Sequence, residues 1–203
     1  MKMKLYSGTT SPYSRKVKVV AAELGLSDLI EEVLTDPFTP SAELLAANPL
    51  SKIPTLVTER GEALPGSPLI IEYLQTRGRG LAALPRGTKR WACLRRAAVA
   101  EGILDAASAT AFEMRRPEGI RHMQFLDRQA DMIRRAIAVL NLEAAELELA
   151  APGLVEVTTG VALAYLDFQM PYLEWRRGHE PLQKWFEEFA QRPSMIATAP
   201  SPA

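Results

Sequence analysis

Residues 3 to 25 read MKLYSGTTSPYSRKVKVVAAELG. Met3 to Ser7 predict a short strand, and Ser11 offers a hydroxyl to cap a helix that Pro12 enters with its fixed φ. Val17, Val20, Ala21 and Leu24 recur at helical spacing and form one apolar face, which Gly25 closes. A strand, a sharp turn and a helix entered through Ser-Pro exposes the N-terminal end of that helix. Such an end carries about half a positive charge and free N–H groups, so it favours an anion.

The same pattern extends outward. Leu29 to Thr35 predict a second strand, and Ser41 to Asn48 a short helix with Glu43 in its first turn. IPTLVTERGEALPG, residues 53 to 66, predicts a hairpin turning at Arg60-Gly61 and stopped by Pro65. SPLIIEYLQTRG, residues 67 to 78, repeats the Ser-Pro device: Ser67 is expected to cap, with Ile70, Ile71 and Leu74 apolar. The order βαβα followed by ββα predicts an open mixed sheet with helices on its faces. TRGRGLAALPRG, residues 76 to 87, breaks the chain. The expected division is a first domain at residues 1–76, a linker at 77–87 and an all-helical domain at 88–203. In the latter, one helix is expected from Thr88 to about Arg116 and a second from Glu118 to about Ala151, with Leu126, Ala130, Ile133, Ile137 and Leu140 on one stripe. TTGVALAYLDFQMPYLEW, residues 158 to 175, predicts a buried helix that Pro171 ends or kinks. Leu182, Trp185, Phe186 and Phe189 share a face of the next helix, and the tail from Ser194 reads as frayed.

Composition excludes several function classes. The chain of 203 residues carries 24 Lys+Arg against 24 Asp+Glu, so no basic excess draws it to nucleic acid or an anionic membrane. Its Arg pairs (Arg95-Arg96, Arg115-Arg116, Arg134-Arg135, Arg176-Arg177) read as solvated faces paired with acids. The single cysteine, Cys93, excludes an internal disulfide or a multi-cysteine zinc site and reads as a helical core thiol. His122 and His179 stand far apart without ligand spacing, so no metal is expected. Gly78-Arg79-Gly80 lacks a third glycine for a dinucleotide loop, and Tyr13 stands where a phosphate loop needs glycine. No Gly-x-Ser-x-Gly elbow occurs. Without a signal core or a long apolar run, a soluble cytoplasmic protein is expected.

Ser11-Pro12-Tyr13-Ser14 has the spacing of the glutaredoxin Cys-Pro-Tyr-Cys motif with serine at both cysteine positions. NPLSKIPTLV, residues 48 to 57, then places an Ile-Pro bond just before a strand, GSPLIIEYL (66 to 74) opens a helix, and an all-α half follows. This order and spacing resembles the cytosolic glutathione S-transferase family, of a bacterial type, over nearly the whole chain. The resemblance implies a thioredoxin-like N-terminal domain with a mixed sheet, followed by a helical-bundle C-terminal domain. It also implies conjugation of glutathione, as co-substrate, to a hydrophobic electrophile, in a detoxifying homodimer. In that family the glutathione sulfur lies near Ser11, whose hydroxyl donates to the thiolate. One such bond contributes roughly 1.5–3 kcal/mol, or about 1–2 pKa units. Thr9, Thr10 and Ser14 are rival hydroxyls. Ile53-Pro54 matches the cis-proline that presents a main-chain edge to the cysteinyl unit. Lys52 reaches a carboxylate of the tripeptide, Gly66 and Ser67 hold the γ-glutamyl carboxylate, and Asp105 approaches the ligand across the dimer interface. The acceptor pocket is expected between the domains, lined by Tyr13, Phe112, Met114, Arg115, Tyr165 and Phe168.

Three positions depart from the family pattern. Gly66 stands where the family has an acid for the ligand's ammonium. Ser51 replaces the glycine of NPxGKxP, which suggests an adjusted loop if that site needs positive φ. Gly160 replaces the aspartate expected to open the buried helix, leaving Thr158 or Thr159 to cap it. These departures favour an alternative, a non-catalytic binding protein on the same fold. A glutaredoxin-like redox enzyme would need cysteine at position 11 or 14.

Overall fold

A nearly continuous run of buried side chains makes the strand Met3–Ser7 (β1) the axis of the first unit: Met3, Leu5, Tyr6 and Ser7 are buried while Lys4 faces out. The computed structural model describes residues 2–200. In it β1 pairs in parallel with Ile30–Leu34 (β2) and antiparallel with Thr55–Val57 (β3), which pairs antiparallel with Ala63–Pro65 (β4). The sheet order β2-β1-β3-β4 is therefore the mixed sheet expected of a thioredoxin-like domain. Parallel pairing of β1 and β2 requires a crossover, and Pro12–Glu23 (α1) supplies it, with Val17, Val19, Val20 and Ala21 buried. Ala42–Ala47 (α2) is capped by Ser41, whose hydroxyl accepts from Leu44 N–H at 3.2 Å.

Ser67–Gln75 (α3) packs beside α1. Here the capping expectation is corrected: Gly66, not Ser67, holds the cap position, at φ +84° and ψ +144°. That conformation is essentially confined to glycine, so the chain turns into the helix one residue earlier and Ser67 becomes its first helical residue.

The second unit, Ala82–Arg192, is helical: Thr88–Met114 (α4), Met123–Leu142 (α5), Leu154–Gln169 (α6) and Glu180–Phe189 (α7). With the sheet domain it gives the expected class, α/β followed by all-α. Three boundaries differ from expectation. The helix expected from Glu118 to Ala151 is shorter, because His122 adopts an extended backbone and its Nδ1 accepts from Phe125 N–H at 3.1 Å. At the other end Leu142 is followed by Glu143, whose carboxylate is held by Arg95 and, at 2.7 Å, by Arg96. The buried helix begins at Leu154 rather than near Thr158. Glu156 Oε2 accepts from Gly153 N–H at 2.8 Å and anchors its start, so Thr158 and Thr159 lie inside the helix and cap nothing.

Gly160 therefore sits in mid-helix, and its role is packing. A Cβ there would lie 2.3 Å from Cε1 of Phe189, a ring with no exposed surface. Cys93 is half-buried, and its neighbour Trp91 is 69% exposed, so this turn of α4 is not the core expected for it.

The tail is the last difference. Pro193–Ala197 forms a helix (α8) and groups with the first unit, where the sequence predicts a frayed end to the second domain; residues 201–203 of that expected tail lie outside the described residues. Arg15 Nη2 donates to Met195 O at 3.1 Å, and the Ser194 hydroxyl donates to the Glu23 carboxylate. Among the described residues no helix is long and apolar enough to cross a membrane.

Gly160→Ala tests the packing account. Helix propensity alone favours alanine by about 1 kcal/mol, but overpacking against Phe189 costs about 1–3 kcal/mol. A lower denaturation midpoint is expected; a higher one would contradict the role assigned to Gly160.

Candidate functional site

The first unit gathers its candidate residues around Gly8, in the turn that links β1 to α1. A Cβ placed on Gly8 would stand 2.8 Å from Ile53 Cδ1 and 3.9 Å from Ser11 Cβ. Glycine thus leaves room for the tip of the Ile53 side chain against this turn. Thr10 is half-buried in the same turn. Ser11 adopts an extended backbone as the cap of α1, and its Oγ accepts from Ser14 N–H at 3.2 Å. That bond uses a lone pair and leaves the hydroxyl proton to donate. Capping and anion binding are compatible here, not rivals.

The Ile53–Pro54 bond is cis. Neither Ile53 N–H nor its C=O is hydrogen bonded among the described residues, whereas Pro54 O accepts from Gly66 N–H at 3.0 Å. This last bond ties the loop to the start of α3, so Ser11, Ile53, Pro54, Gly66 and Ser67 belong to one cluster. At α3 the N–H groups of Ser67 and Leu69 are unbonded among the described residues. Among those residues Ser67 Oγ, which is buried, has no hydrogen-bond partner either. A buried hydroxyl and free amides at a positive helix end form a cradle for a carboxylate.

Asn48, which the sequence reading passed over, holds this loop in place. Its buried amide donates to Lys52 O at 3.1 Å and to Thr55 Oγ1 at 3.0 Å, and its Oδ1 accepts from Leu50 N–H at 3.0 Å. The Asn-Pro step at the end of a short helix was its only signal. Ser51 corrects the expectation of an adjusted loop. It takes φ +51°, the left-handed conformation that glycine would adopt, and its hydroxyl donates to Pro37 O at 2.8 Å. Lys52 is exposed, and Tyr13 is half-buried in the first turn of α1.

The other candidates belong to the second unit. Phe112, Met114 and Arg115 lie at the C-terminal end of α4, and the Arg115 guanidinium sits 5.3 Å from the centre of the Phe112 ring. Tyr165 is buried on α6, with half-buried Phe168 three residues on. Burial pushes the Tyr165 phenol above its usual range, opposed by the neighbouring Ser108 hydroxyl and the Arg115 charge. Ser108, absent from the sequence-based set, lies one turn before Phe112 on α4. Asp105 is exposed on α4.

The chain is similar to known proteins of one family. Residues 10–77 match the glutathione S-transferase N-terminal domain. The uncharacterized GST-like protein YibF of Escherichia coli (strain K12) is 32% identical over 205 aligned residues, covering 99% of this chain and 100% of YibF. A glutathione transferase family member from Pseudomonas fluorescens Pf-5, solved with bound glutathione, superposes with a TM-score of 0.92 at 40% identity, covering 99% of this chain and 100% of its own. With bound S-(propanoic acid)-glutathione, that family member superposes at 0.88 and 39% identity, covering 98% and 100%.

Ser51 separates backbone strain from hydrogen bonding. Ser51→Ala keeps the left-handed φ and loses the bond to Pro37, at a cost of about 1 kcal/mol. Ser51→Gly loses the same bond but gains about as much from a permissive backbone. Equal losses of stability in the two variants would contradict the left-handed assignment.

Proposed function

The chain belongs to the glutathione S-transferase family, and from that premise we propose that it is a glutathione-conjugating enzyme in which Ser11 stabilises the thiolate. The observation that carries this reading is Ser11 at the start of α1, its oxygen engaged by Ser14 N–H and its proton left to donate. Glutathione supplies the nucleophilic sulfur, which bonds to an electrophilic carbon of the acceptor. Ser11 donates to the sulfur as an anion, and the helix end adds its partial charge. Thr10 lies in the same turn as a second hydroxyl.

The remaining residues bind and orient. Ile53 N–H and C=O pair with the main chain of the cysteinyl unit as an added strand would. Ser67 Oγ and the α3 amides take the γ-glutamyl carboxylate, which gives the orphaned buried hydroxyl its partner. Lys52 reaches a second carboxylate. Gly66 offers no acid to the ammonium, and Asp105 of a second copy supplies it in a homodimer formed through α4. Tyr13, Phe112, Met114, Arg115, Tyr165 and Phe168 contribute to holding a small hydrophobic electrophile. Rate comes from fixing the thiolate beside its target. The S-(propanoic acid)-glutathione bound by the P. fluorescens family member supports an acceptor site for small groups carried on sulfur. The reading places the protein in the cytoplasm, in a detoxifying role, where its lone thiol stays reduced.

Ser11→Ala tests this directly. With 1-chloro-2,4-dinitrobenzene as acceptor, kcat is expected to fall tenfold or more, since one donor to a charged atom contributes roughly 1.5–3 kcal/mol. Removing a donor to the anion disfavours the thiolate, so the pH profile of kcat/KM should move to higher pH by about 1–2 units. Unchanged kcat would remove Ser11 from the mechanism and pass its role to Thr10.

A further inference from the structure

Two buried side chains behind the loop before β3 converge on one carbonyl oxygen. Asn48 Nδ2 donates to Lys52 O at 3.1 Å, and Thr55 Oγ1 donates to the same oxygen at 2.8 Å. Nδ2 also donates to Thr55 Oγ1 at 3.0 Å, which closes the three groups into a ring of hydrogen bonds. Asn48 is 1% exposed and Thr55 0%, and a polar network that is fully satisfied away from water is rigid. Leu50 N–H donates to Asn48 Oδ1, so the amide turns its nitrogen toward Lys52. Among the described residues no backbone N–H donates to Lys52 O. The clamp on this carbonyl is made by side chains alone.

Its consequence falls on the next residue. Lys52 C=O and Ile53 N–H belong to one planar trans peptide, in which the two bonds point in opposite directions. With the carbonyl drawn inward by two donors, the N–H is turned outward. Ile53 is half-buried, and its N–H has no hydrogen-bond partner among the described residues. We propose that Asn48 and Thr55 are positioning residues, which act through Lys52 O to aim the Ile53 N–H at the cysteinyl carbonyl of glutathione. This rests on the glutathione reading above and assigns to that site the two side chains that orient its donor. Neither needs to touch the ligand. A donor fixed in advance costs no ordering when the ligand arrives, so the clamp acts on affinity rather than on the chemical step.

The test compares three ligands by NMR titration of the full chain, which reaches millimolar Kd. Glutathione is the reference. γ-Glutamylcysteine and γ-glutamylcysteamine both lack glycine, and only the first keeps an oxygen on the cysteinyl carbonyl carbon. Thr55→Val removes the hydroxyl and keeps the branched shape of a strand residue. It is expected to weaken glutathione and γ-glutamylcysteine by about threefold to tenfold, the worth of one neutral hydrogen bond. γ-Glutamylcysteamine should bind the variant and the unaltered chain equally, and Thr55→Ser should recover most of the lost affinity. Equal weakening of all three ligands in Thr55→Val would assign the clamp a structural role only and overturn the proposal. An unchanged Kd for glutathione in that variant would overturn it as well, and leave the glutathione reading standing. Failure of glutathione to bind the unaltered chain overturns both.

Discussion

The site depends on how the loop before β3 is held beside the start of α1, and the two meet at Gly8. Ile53 Cδ1 stands 2.8 Å from the place a Cβ would occupy there, and Ser11 Cβ lies 3.9 Å from it. The tip of the Ile53 side chain would have to turn away from a Cβ there, so Gly8 lets it pack against the turn before α1. Asn48 holds the loop from behind through three hydrogen bonds, two to Lys52 and Thr55 and one to Leu50. Pro54 O accepts from Gly66 N–H and carries the arrangement on to α3. Two helix starts and an open peptide edge are thereby brought into one unit.

Such an assembly selects for anions rather than for electron transfer. Ser11 and Ser14 keep the spacing of a redox pair, yet a hydroxyl cannot form the disulfide on which that chemistry turns. What survives is the geometry: a positive helix end with a donor aimed outward. Gly66 poses the opposite question. Its φ of +84° is one that an acidic residue would hold only under strain of order 1–3 kcal/mol. Glycine relieves that strain and gives up the negative group. Two of the three departures that favoured a merely binding protein lose their force: Ser51 keeps the left-handed turn, and Gly160 makes room for Phe189. Only Gly66 still bears on how strongly the ligand is held.

Much of this was legible in the sequence where the signal is local. Ser-Pro entries, Gly25 and the turn at Arg60-Gly61 located most elements of the sheet domain, and the order of those elements gave its mixed topology. What was not legible depends on partners distant along the chain. Gly160 read as a missing cap because its contact, Phe189, belongs to another helix. The start of α6 was set by Glu156 reaching back to Gly153, not by a hydroxyl. The tail read as frayed because its anchors, Arg15 and Glu23, lie in α1. Ser108 carried no periodic or motif signal. Its burial beside Tyr165 depends on α6, which lies far along the chain.

The central claim is that two helix starts and the Ile53 edge suffice to bind glutathione although position 66 carries no acid. Calorimetric titration of the full chain with glutathione at neutral pH measures this most directly. The account predicts one site per chain with a Kd on the order of 0.1 mM, close to −5.5 kcal/mol. Binding in the millimolar range or weaker would contradict it.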